Sequence, residues 1–224
     1  MKMKMRNTIL VLIALVVVFV LSSCSKSVEK ARLAPSWVKD AAIYEVNIRQ
    51  YTPEGTFNAF SEHLPRLQEM GVKILWIMPI QPIGDTNRKG SLGSYYSIKD
   101  YYAINPEFGT FDDFRSLVNE AHKLGMYVII DWVANHSAFD CSLAKEHPEW
   151  YKHAPDGSFI SPYDWTDVIA FDYSNPQLRK YMTEAMKWWL KETSIDGFRC
   201  DVAGLIPVDF WENTRKALDS IKPV

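Results

Sequence analysis

Residues 195–211 read IDGFRCDVAGLIPVDFW. A short run that ends on an aspartate and then turns into a helix start is a strand delivering a carboxylate to the rim of a sheet. Side chains two apart on a strand share a face, so Arg199 and Asp201 point one way while Phe198 and Cys200 point the other. The guanidinium therefore lies beside the carboxylate. An adjacent cation favours the ionised form of an acid, as a nucleophilic or charge-stabilising carboxylate requires.

Working outward, the chain alternates strands and helices. Residues 42–49 (AIYEVNIR) form a first expected strand, with Tyr44, Val46 and Ile48 on one face and Glu45, Asn47 and Arg49 on the other. Residues 57–70 carry apolar side chains at helical spacing and Gly71 stops them, although Pro65 breaks or restarts the first turns. Residues 73–78 (KILWIM) are a continuous apolar run, which suits a parallel strand covered on both faces. Thr110 with Asp113 opens a helix in the manner of a capping box, and Phe114, Leu117, Val118, Ala121 and Leu124 share one side of it. Gly125 ends that helix and residues 126–131 (MYVIID) make the third strand. Asn175-Pro176 starts the next helix as a cap followed by proline. The fourth strand is the opening stretch, and a fourth helix begins around Pro207.

Two connections, residues 79–109 and 132–174, far exceed the roughly two to six residues usual between a strand and its helix. The second is rich in aromatics and turn formers, Trp150, Tyr151, Tyr163 and Trp165 among them, and reads as a small inserted subdomain forming a wall of a cleft. Four strand-helix units with long insertions after strands describe an α/β fold: the first half of a (β/α)8 TIM barrel, with its chemistry at the strand C-terminal face. A doubly wound open sheet is the competitor, but no glycine-rich phosphate turn follows the first strand. The expected divisions are a signal over 1–23, a tether over 24–36, barrel over 37–131, insertion over 132–174 and barrel again over 175–224.

Composition narrows the partners. A net charge of -2 spread over 224 residues argues against nucleic acid. Lys2, Lys4 and Arg6 precede an unbroken apolar run over residues 9–21, too short for the roughly 20 residues of a spanning helix. Leu21-Ser22-Ser23-Cys24 follows and resembles the bacterial lipoprotein signal. That resemblance implies cleavage before Cys24, a lipid anchor on its sulfur, and a place in the bacterial cell envelope, periplasmic or surface-exposed. Nothing in the sequence pairs Cys141 with Cys200.

DWVANH at residues 131–136 and GFRCD at residues 197–201 resemble two signatures of the α-amylase family of glycoside hydrolases. GSYYSIKDYYAINPEFGT at residues 93–110 is similar to the family's segment after strand two, and FDYSNPQLRKYM at residues 171–182 to the return from its inserted subdomain. Each falls at a boundary already assigned from periodicity. The resemblance implies a retaining enzyme acting on α-glucosidic bonds of starch or maltooligosaccharides. It makes Asp201 the nucleophile, held ionised by Arg199. His136, Tyr96 and Asp131 become substrate-binding residues, with Tyr95 as the neighbouring alternative for the stacking ring and Asp131 also bracing that corner of the barrel. Asn135 matches a position that in many members contributes to a calcium site. The carboxylate that many members add from the insertion falls at Ala170, with Asp172 two residues on, which leaves calcium open. His63, His147 and His153 match nothing. The family's general acid is a glutamate after the fifth strand, and no Glu of this sequence stands in such a context. The chain alone is therefore expected to be inactive, and the alternatives are a catalytically silent glucan-binding lipoprotein or a glucanosyltransferase.

Overall fold

A computed structural model of the protein describes residues 34–224. The signal, Cys24 and the tether up to residue 33 lie outside the described residues. The first described turn, Ser36–Val38, stacks Trp37 on Tyr127 with ring centroids 4.5 Å apart.

Strand β1 is Ala42–Val46, three residues shorter than the alternation implies. Asn47 instead leads into a single helical turn, α1 (Ile48–Tyr51), which buries Ile48 and sends Arg49 to Glu107 at 2.6 Å. Val46 and Ile48 fit a period of two, but both are buried here without sharing a strand face. The expected helix over 57–70 is two pieces, α2 (Phe57–Ser61) and α3 (Leu64–Glu69), with Pro65 in the first turn of the second. That is where proline is tolerated, because its missing N–H has no helical partner to lose.

Strand β2 (Val72–Ile77) leads through a long connection to α4 (Phe111–Lys123). The capping box is formed in full: Asp113 N donates to Thr110 Oγ1 at 3.2 Å, and Thr110 N donates to Asp113 Oδ2 at 2.8 Å. Gly125 adopts φ +73 and releases the chain into β3 (Tyr127–Trp132). The insertion pairs β4 (His136–Ala138) antiparallel with β5 (Val168–Ala170), with the short α5 (Ser142–Glu146) between them. Helix α6 (Pro176–Thr193) then starts on Asn175, whose Oδ1 accepts from Gln177 N and Leu178 N at 2.9 and 3.4 Å. Strand β6 (Gly197–Cys200) and α7 (Val208–Asp219) complete the fourth unit.

The strands β1, β2, β3 and β6 lie side by side in that order, all parallel. Sequential order without a reversal is the barrel pattern; a doubly wound sheet would change direction at a switch point. Helices cover one face, where Val46, Leu75, Ile77, Val128, Ile130 and Trp132 are buried. The opposite face carries Glu45, Trp76, Asp131 and Arg199, and its Ile43 is 59% exposed. On that face Ile74 is nevertheless 3% exposed and Trp76 is partly buried, so the two-sided cover expected for residues 73–78 is largely present, while the edge strand is bare. Among the described residues no helix is long and apolar enough to cross a membrane.

Since α6 buries Trp189 against Phe111 and Phe114 of α4, its start matters to the whole unit. Asn175→Ala should lower the unfolding free energy by about 1 kcal/mol, read as a reduced denaturant midpoint at unchanged slope.

Candidate active site

The pairing of β3 with β6 sets Asp131 directly opposite Arg199, and Trp132 opposite Cys200. Inward-facing residues of the two strands are therefore neighbours. Arg199 Nη1 donates to Asp131 at 3.0 and 3.2 Å and to Asp201 Oδ1 at 2.7 Å. Its guanidinium carbon lies 4.7 Å from the centre of the Trp76 ring, a cation over an aromatic face. Trp76 Nε1 and the Tyr96 hydroxyl, each at 3.1 Å, donate to Asp131 Oδ2.

Asp131 is wholly buried. Burial pushes its pKa up to about 6, against the pull of Arg199 and Trp76. Burial also works against the charge of Arg199, but its bonds to Asp131 and Asp201 outweigh that and raise its pKa. The Tyr96 hydroxyl is pushed up by burial and then by the Asp131 charge, so it stays a protonated donor.

Directly after Asp201 the chain makes an abrupt turn. Asp201 N donates to Trp132 O at 2.9 Å, and Val202 sits in the left-handed region at φ +40, ψ +40. A β-branched residue is strained there. The strain ends the strand at once and leaves the Asp201 carboxylate at the rim, 13% exposed.

Above that rim is a cavity of about 300 Å³. The expected residues Tyr96, His136 and Asp201 all line it. Tyr95 does not; its ring lies under the Arg49 guanidinium, 4.8 Å away. Asp131 lies beneath the cavity rather than on its wall. The expectation that it binds substrate is corrected accordingly: an unexposed carboxylate engaged by three donors braces Arg199 and Tyr96, and cannot reach a sugar. Lys89, Ser94, Trp165, Asp167, Val168 and Val202 complete the lining. Of these, Trp165 belongs to the aromatic insertion that the sequence marks as a cleft wall, and it meets the His136 ring edge-on at 5.3 Å. Trp76, Lys89 and Asp167 escape the sequence reading. Trp76 is hidden inside an apolar run, and the other two lie in loops without periodicity.

His136 is buried, and that burial lowers its pKa to about 4 even though Asp201 and Asp167 raise it. The ring is neutral at pH 7. With Asn135 Nδ2 donating to Nδ1 at 3.2 Å, its proton is on Nε2.

Asn135 is the residue that the family resemblance offers to calcium. Its side-chain nitrogen faces His136, Ala170 contributes no side-chain oxygen, and Asp172 Oδ1 accepts from Ser174 N at 2.9 Å. No group of three or more His, Cys, Asp or Glu among the described residues could hold a metal ion. This set falls short of the about six to eight oxygens calcium takes, and no chemistry is assigned to such an ion. Cys141 and Cys200 are free thiols, and burial pushes Cys200 up to about 12.

The family model described as "Alpha amylase, catalytic domain" matches residues 25–168 and 147–220. The chain belongs to the alpha-amylase family. A crystal structure of an alpha-amylase from Lactobacillus plantarum superposes with a TM-score of 0.81 at 44% identity, covering 84% of this chain and 44% of that one. A noncanonic maltogenic alpha-amylase from Thermotoga neapolitana gives 0.80 at 46% identity, over 84% of this chain and 45% of that one. An alpha-1,4-glucan:maltose-1-phosphate maltosyltransferase from Rhodospirillum rubrum is 36% identical over 197 residues, 77% of this chain and 28% of the relative. The chain thus spans less than half the length of each. The four parallel strands are part of the (β/α)8 barrel of alpha-amylase enzymes, and the Asp131–Arg199–Asp201 cluster stands at their C-terminal ends, the face that carries the chemistry of such barrels.

The depressed pKa of His136 gives stability a pH dependence with a fixed sign. Below pH 6.5 the unfolded chain binds a proton at this ring that the folded chain, down to about pH 4, does not. Stability from this residue is therefore complete above pH 6.5 and lost as pH falls toward 4. The free energy of unfolding of the native chain, measured relative to His136→Gln by denaturant titration, should rise between pH 4 and 6.5 and level off above. A flat difference across that window would contradict the assignment.

Proposed function

We propose that this alpha-amylase family chain supplies the nucleophile-bearing wall of an enzyme of carbohydrate metabolism that opens α-glucosidic bonds of starch or maltooligosaccharides with retention. The observation that carries the reading is Asp201, fixed by Arg199 at 2.7 Å and facing one cavity with Tyr96 and His136. In this reading Asp201 attacks the anomeric carbon and forms a covalent glycosyl-enzyme. Tyr96 supports the sugar ring from below, and the neutral His136 meets its hydroxyls through Nε2.

Retaining hydrolysis also needs a second carboxyl about 5 to 5.5 Å from the first, to protonate the leaving oxygen. Asp131 has the raised pKa of a proton donor, but it is sealed beneath the cavity. Asp167 is paired with Lys89 at 3.2 Å. Glu184 and Glu192 lie on α6, paired with Lys187 and Arg115, and Glu45 does not line the cavity. The described residues offer no general acid, and the reading draws it from outside these 224 residues. A second reading, glucanosyl transfer, is favoured by the likeness to a maltosyltransferase. The same lack of an acid favours a third, a catalytically silent glucan-binding role.

The purified 224-residue chain should bind maltoheptaose, and Tyr96→Ala should weaken that binding by about tenfold, the scale of one good aromatic or hydrogen-bonding contact. No reducing ends should be released. Turnover that disappears in Asp201→Asn would show that the acid is present after all, whereas absence of any glucan binding would overturn the substrate assignment.

For location, we infer lipid attachment through Cys24 to the bacterial cell envelope, from the basic, apolar and small-residue order of residues 2–24. A single acyl chain holds a protein to a membrane only marginally, so the reading assumes a multiply acylated cysteine. Labelled palmitate should enter the chain in cells and be lost in Cys24→Ala; label retained by that variant would refute the anchor.

A further inference from the structure

Two charged residues on the cavity wall have no part in the chemistry above. Lys89 Nζ lies 3.2 Å from Asp167 Oδ1, and the pair joins the long connection after β2 to the insertion after β3. Asp167 is nearly buried, at 7% exposure, while Lys89 is 52% exposed. Both line the cavity that holds Asp201. The pair is thus half-exposed: the ammonium reaches solvent and the cavity, while the carboxylate is held in the wall.

Both ends of the bridge are anchored. Next to Lys89, Arg88 Nε donates to Gly84 O at 2.9 Å, and Arg88 pairs with Asp85 at 2.6 Å. Asp85 is held in turn by Lys99 at 2.6 Å, and its N–H donates to Asp140 Oδ2 at 3.0 Å. Gly93, at φ +73, closes this loop where a Cβ would come within 2.7 Å of Ile83. On the other side Asp167 O accepts from Ser97 Oγ at 3.1 Å. The ammonium and the carboxylate are thus presented to the cavity from fixed backbone.

A hydroxyl both donates and accepts. An ammonium with unspent protons next to a carboxylate with unspent lone pairs is the complement of such groups. In an α-1,4-glucan the oxygen at C4 of every internal unit is an ether, which accepts only and continues into more chain. The non-reducing terminal unit has a free hydroxyl there and nothing beyond it. We infer that the Lys89–Asp167 bridge closes one end of the sugar cavity and makes the site read the free non-reducing end of an α-glucan. The inference rests on the glucan reading above and adds the mode of recognition: a chain end is accepted, and a mid-chain segment would have to displace the bridge.

The test is calorimetric titration of the 224-residue chain with three probes: maltohexaose, maltohexaose blocked at its non-reducing end by a 4,6-O-ethylidene group, and α-cyclodextrin, which has no end. Free maltohexaose should bind about tenfold or more tighter than the other two, the scale of hydrogen bonds to charged groups. Lys89→Met should abolish that preference, with the blocked probe binding at least as tightly as it does to the native chain, because no bridge remains to be displaced. Lys89→Arg should keep part of it. Lys89 is exposed, so its variants test the idea without depending on the buried Asp167. Equal binding of free and blocked maltohexaose by the native chain, or a preference that survives Lys89→Met, overturns this inference and leaves the glucan reading standing. Failure to bind any of the three overturns both.

Discussion

One guanidinium shared by two carboxylates holds the strand C-terminal face together. Arg199 Nη1 reaches both Asp131 and Asp201, and the two acids sit in different surroundings. Asp131 is sealed from water, where an unpaired charge would be expensive. It is tolerable because Arg199, Trp76 and Tyr96 all donate to it. Asp201 stands at the rim and accepts only from Arg199 among the described residues. The buried acid thus orients the arginine, and the arginine orients the acid that faces the cavity. All of this follows from strand register, because Asp131 and Arg199 are direct partners across β3 and β6. A slip of one residue would put Phe198 opposite Asp131 and turn Arg199 away.

The same alternation explains the uneven faces of the sheet. Residues pointing outward from the strands meet helices and are buried; those pointing inward include an exposed Ile43 and Glu45 at the edge strand β1. In a closed barrel there are no edges, and the inward side chains of all strands pack on one another. The four strands described here leave β1 and β6 each with an unpaired side and a partly bare apolar face. Such a surface favours association with whatever completes it.

How much of this the sequence discloses depends on the range of the interaction. Helix caps are local, so Thr110 with Asp113 and Asn175 with Pro176 could be read from neighbours in the chain and are formed as expected. Strand alternation is local too, and it correctly put Arg199 and Asp201 on one face. The end of β1 was misjudged because Ile48 fits a period of two as well as the helical turn it occupies. Trp76 was lost inside an apolar run that gave no hint of which side faces the barrel interior. The Lys89–Asp167 pair spans two loops, where no periodicity connects the partners. The family resemblance singled out Tyr96 and His136, which line the cavity beside Asp201 and which residue type alone would have left as ordinary loop residues.

The opposite end of the sheet shows why residue type cannot define a site by itself. Before β6, Asp196 gathers His122 Nε2 at 2.8 Å, Lys222 Nζ at 2.8 Å and Val128 N at 2.8 Å. Burial would raise its pKa, but these partners more than offset it and hold the acid below its ordinary value. An aspartate, a histidine and a cation are present here as at the other end, yet both oxygens of Asp196 are taken up within the protein, and none of the three residues lines the cavity beside Asp201. That cluster fastens the start of β6 to β3, to α4 and to the residues after α7, a structural role in keeping with the N-terminal face of a barrel. At the other end the strained turn at Val202 stops β6 before Asp201 can be covered, and the long connections leave a cavity over it. What separates the two clusters is that one spends all its hydrogen-bonding capacity on the fold, while the other keeps a carboxylate oxygen directed at space.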